Sequence, residues 1–211
     1  RELFFALRDW NRQQAPQRPL RRLSQMIPLN MRNLNHDGIP ATNVLAGWCC
    51  NRDLREFEDP EQLLQSIHDE GVFLRSSRLP ALIVLALELL HHVPGLIGWL
   101  IKRPRSVSTV VFSNVGDPWR VVWNDWPTTA DDYPIFGNIT VREVNSASPL
   151  QSGNQAGFTV WHIGDALRVA MRCNPQIFSL EDANELLDMF VARIVALAEG
   201  HTAERRSQAA A

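Results

Sequence analysis

Cysteine is scarce and badly spaced for cross-linking: Cys49, Cys50 and Cys173 are the three in 211 residues. Adjacent cysteines rarely bridge each other and an odd count leaves one over. A disulfide framework is therefore not expected, and a reducing cytoplasm is the expected setting. Cys-x-x-Cys and paired His–Cys spacings are missing as well, so no structural zinc site is expected. Net charge is small, −2 at neutral pH, with a pI near 6.3. No basic tract runs past a few residues, so nothing draws the chain toward nucleic acid. The short group Arg18, Arg21 and Arg22, mixed with Pro19 and Leu20, reads as a solvated loop. A disordered composition is also lacking, since 45% of residues are hydrophobic and 21% charged, as in globular proteins.

An uninterrupted apolar stretch of membrane length is absent too. The nearest, 81–101, carries Glu88, His91 and His92 and is broken by Pro94-Gly95. Packed or substrate-facing helices are expected there rather than a span, with a peripheral membrane contact or an acyl-chain tunnel as the alternatives.

What is present alternates between helical and strand patterns. Residues 1–13 place Leu3, Phe4, Leu7 and Trp10 at helical spacing without an N-cap residue before them, so this helix is expected to begin earlier in a parent protein. Strand-like runs follow at 24–29 and 43–50. Asp59-Pro60-Glu61 marks a helix start, with Asp59 as N-cap and Pro60 at the first helical position. Pro80 opens a second helix, interrupted at Pro94-Gly95. From Ser106 the pattern turns to strands: a buried run at 107–112, then 135–144, 157–163 and 166–173. The last two flank Gly164-Asp165 as a hairpin. A final helix is capped by Ser179 with Asp182 three residues on. It is expected to end at Gly200, with a disordered tail over 201–211.

Two short patterns reach beyond a generic α/β domain. Ile27-Pro28-Leu29-Asn30-Met31-Arg32 is an apolar strand running into Asn-x-Arg. Val110-Val111-Phe112-Ser113-Asn114-Val115-Gly116 is a buried strand opening into Ser-Asn-x-Gly. Their order, the helices between them, and the ending Asn174-Pro175-Gln176-Ile177-Phe178-Ser179 before a long helix resemble the C-terminal half of the CoA-dependent acyltransferase superfamily. That superfamily includes nonribosomal peptide condensation domains, wax ester synthases and alcohol acyltransferases. The resemblance implies a chloramphenicol acetyltransferase-like subdomain over 1–200, an α/β (α+β) fold with a mixed sheet flanked by helices. It implies acyl transfer from acyl-CoA or a phosphopantetheinyl carrier protein to an alcohol or amine, with no bound cofactor.

In that superfamily the catalytic base is the second His of a His-His-x-x-x-Asp-Gly motif, carried on the N-terminal half. The motif is missing here. His91-His92 is followed by Val93-Pro94-Gly95, and Asn35-His36-Asp37-Gly38 has the wrong spacing; neither is assigned to catalysis. By the resemblance, Arg32 matches the arginine that pairs with the motif's aspartate, a task suited to a planar guanidinium. Asn30 would help hold the same loop. Ser113 and Asn114 match a segment near the channel, where a polar side chain can serve the oxyanion and Gly116 lets backbone approach the substrate. The plain alternative is a strand-end turn in which Ser113 and Asn114 bond local backbone.

Two functions follow as expectations. One is the C-terminal part of an acyltransferase, inactive alone. The other is a non-catalytic binding module of the same fold for a carrier protein, lipid or protein partner. Either way, a companion N-terminal subdomain or self-association is expected to cover an apolar face.

Overall fold

Helix α1 (Glu2–Gln14) turns five consecutive residues, Leu3, Phe4, Phe5, Ala6 and Leu7, into the protein interior. The helical spacing identified Leu3, Phe4 and Leu7; Phe5 joins them because aromatic and cationic partners flank it. The computed structural model describes residues 1–17, 20–31, 44–101, 108–117, 127–150 and 153–209. It comprises two compact units. The first is Arg1–Leu23, Asn51–Val72 and Pro175–Ala211; the second is Ser24–Cys50 and Phe73–Asn174.

In the first unit α1 packs on the terminal helix α5 (Leu180–Ala209). Phe57, from the 3-10 turn Leu54–Glu58, meets Phe4 and Phe5 edge-on at ring separations of 5.9 and 5.4 Å, the favoured geometry for ring quadrupoles. Trp10 stacks on Phe178 at 5.2 Å. Around this aromatic group lies a ring of charge. The Arg193 guanidinium sits 5.2 Å from the Phe5 ring centre and pairs with Asp9, with Glu2 3.7 Å away. Arg8 bonds Asp9 from the same helix at 2.7 Å. Arg52, buried just ahead of that 3-10 turn, is neutralised by Glu70. Both helix starts read from sequence are formed. Asp59 Oδ1 accepts from the N–H groups of Glu61 and Gln62 at the head of α2 (Pro60–Ser76). Ser179 and Asp182 bond reciprocally at the head of α5.

The second unit carries a five-stranded mixed sheet in the order β2-β1-β3-β6-β7. The strands are β1 (Arg22–Asn30), β2 (Leu45–Asp53), β3 (Val110–Gly116), β6 (Ala156–Ile163) and β7 (Ala166–Cys173). β3 runs parallel to β1 on one side and to β6 on the other. β7 returns antiparallel to β6 through Gly164, whose φ of +58° favours glycine. A Cβ there would also come within 2.9 Å of the Asp131 carbonyl oxygen and the Tyr133 ring. Strand β6 is buried at every position but His162, as expected of a strand covered on both faces. A mixed parallel and antiparallel sheet together with helices is the α/β architecture expected from the sequence. Helices α3 (Leu79–His91) and α4 (Leu96–Ile101) meet at Gly95, where φ is +78°.

Three expectations are corrected. The strand expected at 135–144 shrinks to β4 (Ile135–Phe136) and β5 (Ile139–Thr140), a two-residue ribbon turning at Gly137. Beyond it, Ser148 gives its N–H to the Thr159 hydroxyl instead of to a ladder. The last helix runs to Ala209, past the stop expected at Gly200. A glycine inside a helix costs only about 1 kcal/mol relative to alanine, and Ala203, Glu204, Arg205 and Arg206 are good helix formers. Finally, α3 is not packed: of its side chains only Pro80 is buried.

Burial alone would raise the Asp9 pKa, but hydrogen bonds and charge from Arg8 and then Arg193 outweigh it and hold the carboxyl below its ordinary value. Such a group stabilises the fold above its unfolded pKa, about 3.9. That contribution disappears as pH falls through the lowered folded value. We predict that Asp9→Asn destabilises the protein by about 1 kcal/mol at pH 7. The difference from wild type should close below pH 4, as read by urea denaturation across pH.

Candidate functional site at the carboxyl ends of the parallel strands

Because β1, β3 and β6 are parallel neighbours, their carboxyl ends share one edge of the sheet. In sheets of this kind, ligands bind outside the carboxyl ends of the strands. Asn30 ends β1 and the Ser-Asn-x-Gly segment ends β3, so the two stretches singled out in the sequence are brought to adjoining strand ends. Arg32 and His36 lie outside the described residues.

The end of β3 is irregular in a specific way. Ser113 pairs with Thr159 and Asn114 with Val160, but Gly116 pairs with Trp161, so Val115 is left over as a bulge. Bulges of this kind often re-aim side chains beside functional sites. Asn114 Oδ1 accepts from the Gly116 N–H at 3.0 Å, a local turn that commits this oxygen to backbone. Gly116 has φ +67°, and no atom lies within 4 Å of where its Cβ would be. Asn114 thus follows the plain alternative, a strand-end turn. Ser113 does not: it is half-buried and its hydroxyl makes no hydrogen bond among the described residues.

The pairing shows what shares the Ser113 face, since residues directly opposite point to the same side of a sheet. Across β6 and β7 the row continues to Thr159 and Ala170, and the next row toward the carboxyl edge is Trp161 with Arg168. The Thr159 hydroxyl is taken by Ser148, at 2.9 Å to its N–H and 2.8 Å to its hydroxyl. Trp161 Nε1 and Arg168 Nε are buried and have no hydrogen-bond partner among the described residues. Buried donors are nearly always paired; Trp10 Nε1, Gln25 Nε2 and Arg52 Nε share this lack elsewhere in the described residues, so what singles out Trp161 and Arg168 is that they share the face of Ser113 near the carboxyl ends of the parallel strands. Sequence reading missed Trp161 and Arg168. The signal was there in the alternation of 157–163 and 166–173, which puts Trp161 and Arg168 on the face of Thr159, but it needed the strand register to be used.

The other candidates are not drawn together. His91 and His92 close α3, exposed, with His92 Nε2 3.8 Å from Glu88, a helix-end pair as expected. Cys49, Cys50 and Cys173 form no disulfide, and burial pushes the Cys49 thiol up. Among the described residues no three His, Cys, Asp or Glu side chains converge on a metal position. Two surface concavities, one bounded by Glu181, Glu185 and Met189 and one by Arg1, Glu61 and Leu197, contain none of the site residues.

No family model matches the chain, and no curated protein matches it. Among solved structures it is similar to the epimerization domain from the third module of tyrocidine synthetase B. That match has 15% identity and a TM-score of 0.49, over 94% of this chain and 41% of that one. It is also similar to the first condensation domain of the CDA synthetase, at 13% identity and a TM-score of 0.47, over 90% of this chain and 37% of that one. The chain spans about two fifths of the length of either.

The Asn114 turn makes a direct prediction. Asn114→Ala, which strips the acceptor from an edge turn, should cost about 1 kcal/mol. Asn114→Asp, which keeps it, should stay within about 0.5 kcal/mol of wild type. Chemical denaturation of the three proteins checks the order.

Proposed function

We propose that this chain is the C-terminal part of an acyltransferase that moves an acyl group from a CoA or carrier-protein thioester to an alcohol or amine. The observation that carries the reading is the joining of two motifs at one sheet edge: the end of β1, leading to Arg32, and the end of β3, with Ser113 and Gly116. The acceptor oxygen or nitrogen attacks the thioester carbonyl, and a new C–O or C–N bond replaces the C–S bond. The thiolate leaves and takes up the proton that the base has removed from the acceptor. The charge to be stabilised lies on the carbonyl oxygen, and preorganised donors in a water-poor site serve it best. Ser113 Oγ is the first such donor in our reading, with Trp161 and Arg168 in the next row of the same sheet face. The base is the histidine of the motif this chain lacks, and Arg32 pairs with the aspartate of that motif.

A second reading keeps the fold as a binding module for a carrier protein, lipid or protein partner. The commitment of Asn114 to backbone favours it, because one of the polar groups available for catalysis is thereby spent on a turn.

The two readings separate on Ser113→Ala, made in the protein that carries both halves and followed by thiol release from an acyl thioester. The acyltransferase reading expects kcat to fall on the order of 100-fold with KM little changed. Unchanged kcat, or no thiol release from the unmodified protein, favours the binding module.

A further inference from the structure

Helix α3 presents a physical problem that the acyl-transfer reading leaves untouched. Its sequence is apolar nearly all round, and a helix of that composition is normally enclosed. Here Leu82, Leu85, Leu87 and Leu89 are each more than half exposed, Leu89 at 62%. Val93, just past the helix, and Trp99 on α4 are exposed in the same way, at 49% and 52%. At helical spacing Leu82, Ala86 and Leu89 form a stripe about a third of a turn away from Glu88, whose carboxylate lies 3.8 Å from His92 Nε2. The helix has one wet line and a broad oily remainder.

Charge says what covers it. From Gly71 to Gly116 the sequence holds five Lys and Arg residues and a single acid, Glu88, in a chain whose net charge is −2. Arg75 and Arg78, just ahead of the helix, are exposed. Thirteen residues make a rod about 20 Å long, too short for a hydrocarbon core of about 30 Å. Among the described residues no helix is long and apolar enough to cross a membrane. An exposed apolar rod with a cationic approach and a tryptophan at its far end fits the surface of an anionic bilayer.

We infer that α3 and α4 dock the protein on an anionic membrane surface. Leu82, Leu89 and Val93 enter the boundary between headgroups and acyl chains, and Arg75 and Arg78 meet lipid phosphates. The helix lies along the surface with the Glu88–His92 line toward water.

The test is flotation of the 211-residue chain with vesicles of phosphatidylcholine alone and of phosphatidylcholine with phosphatidylserine. Flotation is expected with the mixed vesicles, and weaker by tenfold or more with the neutral ones. The double substitution Leu82→Asp and Leu89→Asp should abolish it while circular dichroism stays unchanged. Should that variant not fold, Arg75→Ala and Arg78→Ala, at exposed positions, serve instead. Each should weaken partition to the mixed vesicles about fivefold and leave partition to neutral ones unaltered. No flotation with anionic vesicles, equal flotation with both kinds, or flotation that survives the aspartates overturns the inference. So does a size-exclusion profile in which the aspartates convert an oligomer to a monomer without changing vesicle binding, since the face would then be a contact between copies.

Discussion

Strand β3 is held between two parallel neighbours, and the rest of the second unit depends on that placement. Parallel pairing cannot be closed by a tight turn, so long connections must leave and return. Between β1 and β3 the chain makes β2 and three helices; between β3 and β6 it makes the short ribbon and the segment that reaches Ser148. The same constraint brings the carboxyl ends of β1, β3 and β6 to one edge. Residues more than 80 positions apart in sequence, Asn30 and Ser113 to Gly116, thereby become part of one surface. The antiparallel return of β7 then sets Arg168 opposite Trp161. The donors at that edge follow from strand direction and register more than from any local motif.

Much of this was legible in the residues. The caps at Asp59 and Ser179 were read correctly because a capping oxygen and the N–H groups it serves lie within three residues of each other. The hairpin at Gly164 was read for a similar reason: a turn that needs positive φ declares itself with glycine. Helix α1 and strands β1, β3, β6 and β7 followed from hydrophobic period. What failed was decided elsewhere in the fold. The run at 135–144 has strand-like residues, yet the bonds of its continuation go to Thr159, eleven residues past Ser148. Gly200 has the identity of a helix stop, but its effect is small against the helix formers around it. The partly correct reading of the site has the same cause. Ser113, Asn114 and Asn30 stand out by type and position, whereas Trp161 and Arg168 become site residues only once two strands are in register.

The two units also differ in how polar groups are used. In the first, arginines lie over phenylalanine rings and against carboxylates, so charge is spent on packing, as at Arg193, Asp9 and Phe5. The second leaves apolar surface unspent on α3, while buried donors without a hydrogen-bond partner among the described residues occur in both units, at Trp10 and Arg52 in the first and at Gln25, Trp161 and Arg168 in the second. Unspent groups of either kind mark what a fold presents to something else. An acyl thioester joins a polar carbonyl to a greasy chain, and a site with donors at a strand edge suits the first of these.

The central claim is that this chain supports acyl transfer without containing its catalytic base. The most direct measurement is thiol release by the isolated 211 residues, given an acyl-CoA or acyl-carrier thioester and an alcohol or amine. The account predicts release no faster than in the absence of protein. Robust turnover would mean that the base lies within this chain, and would contradict the account.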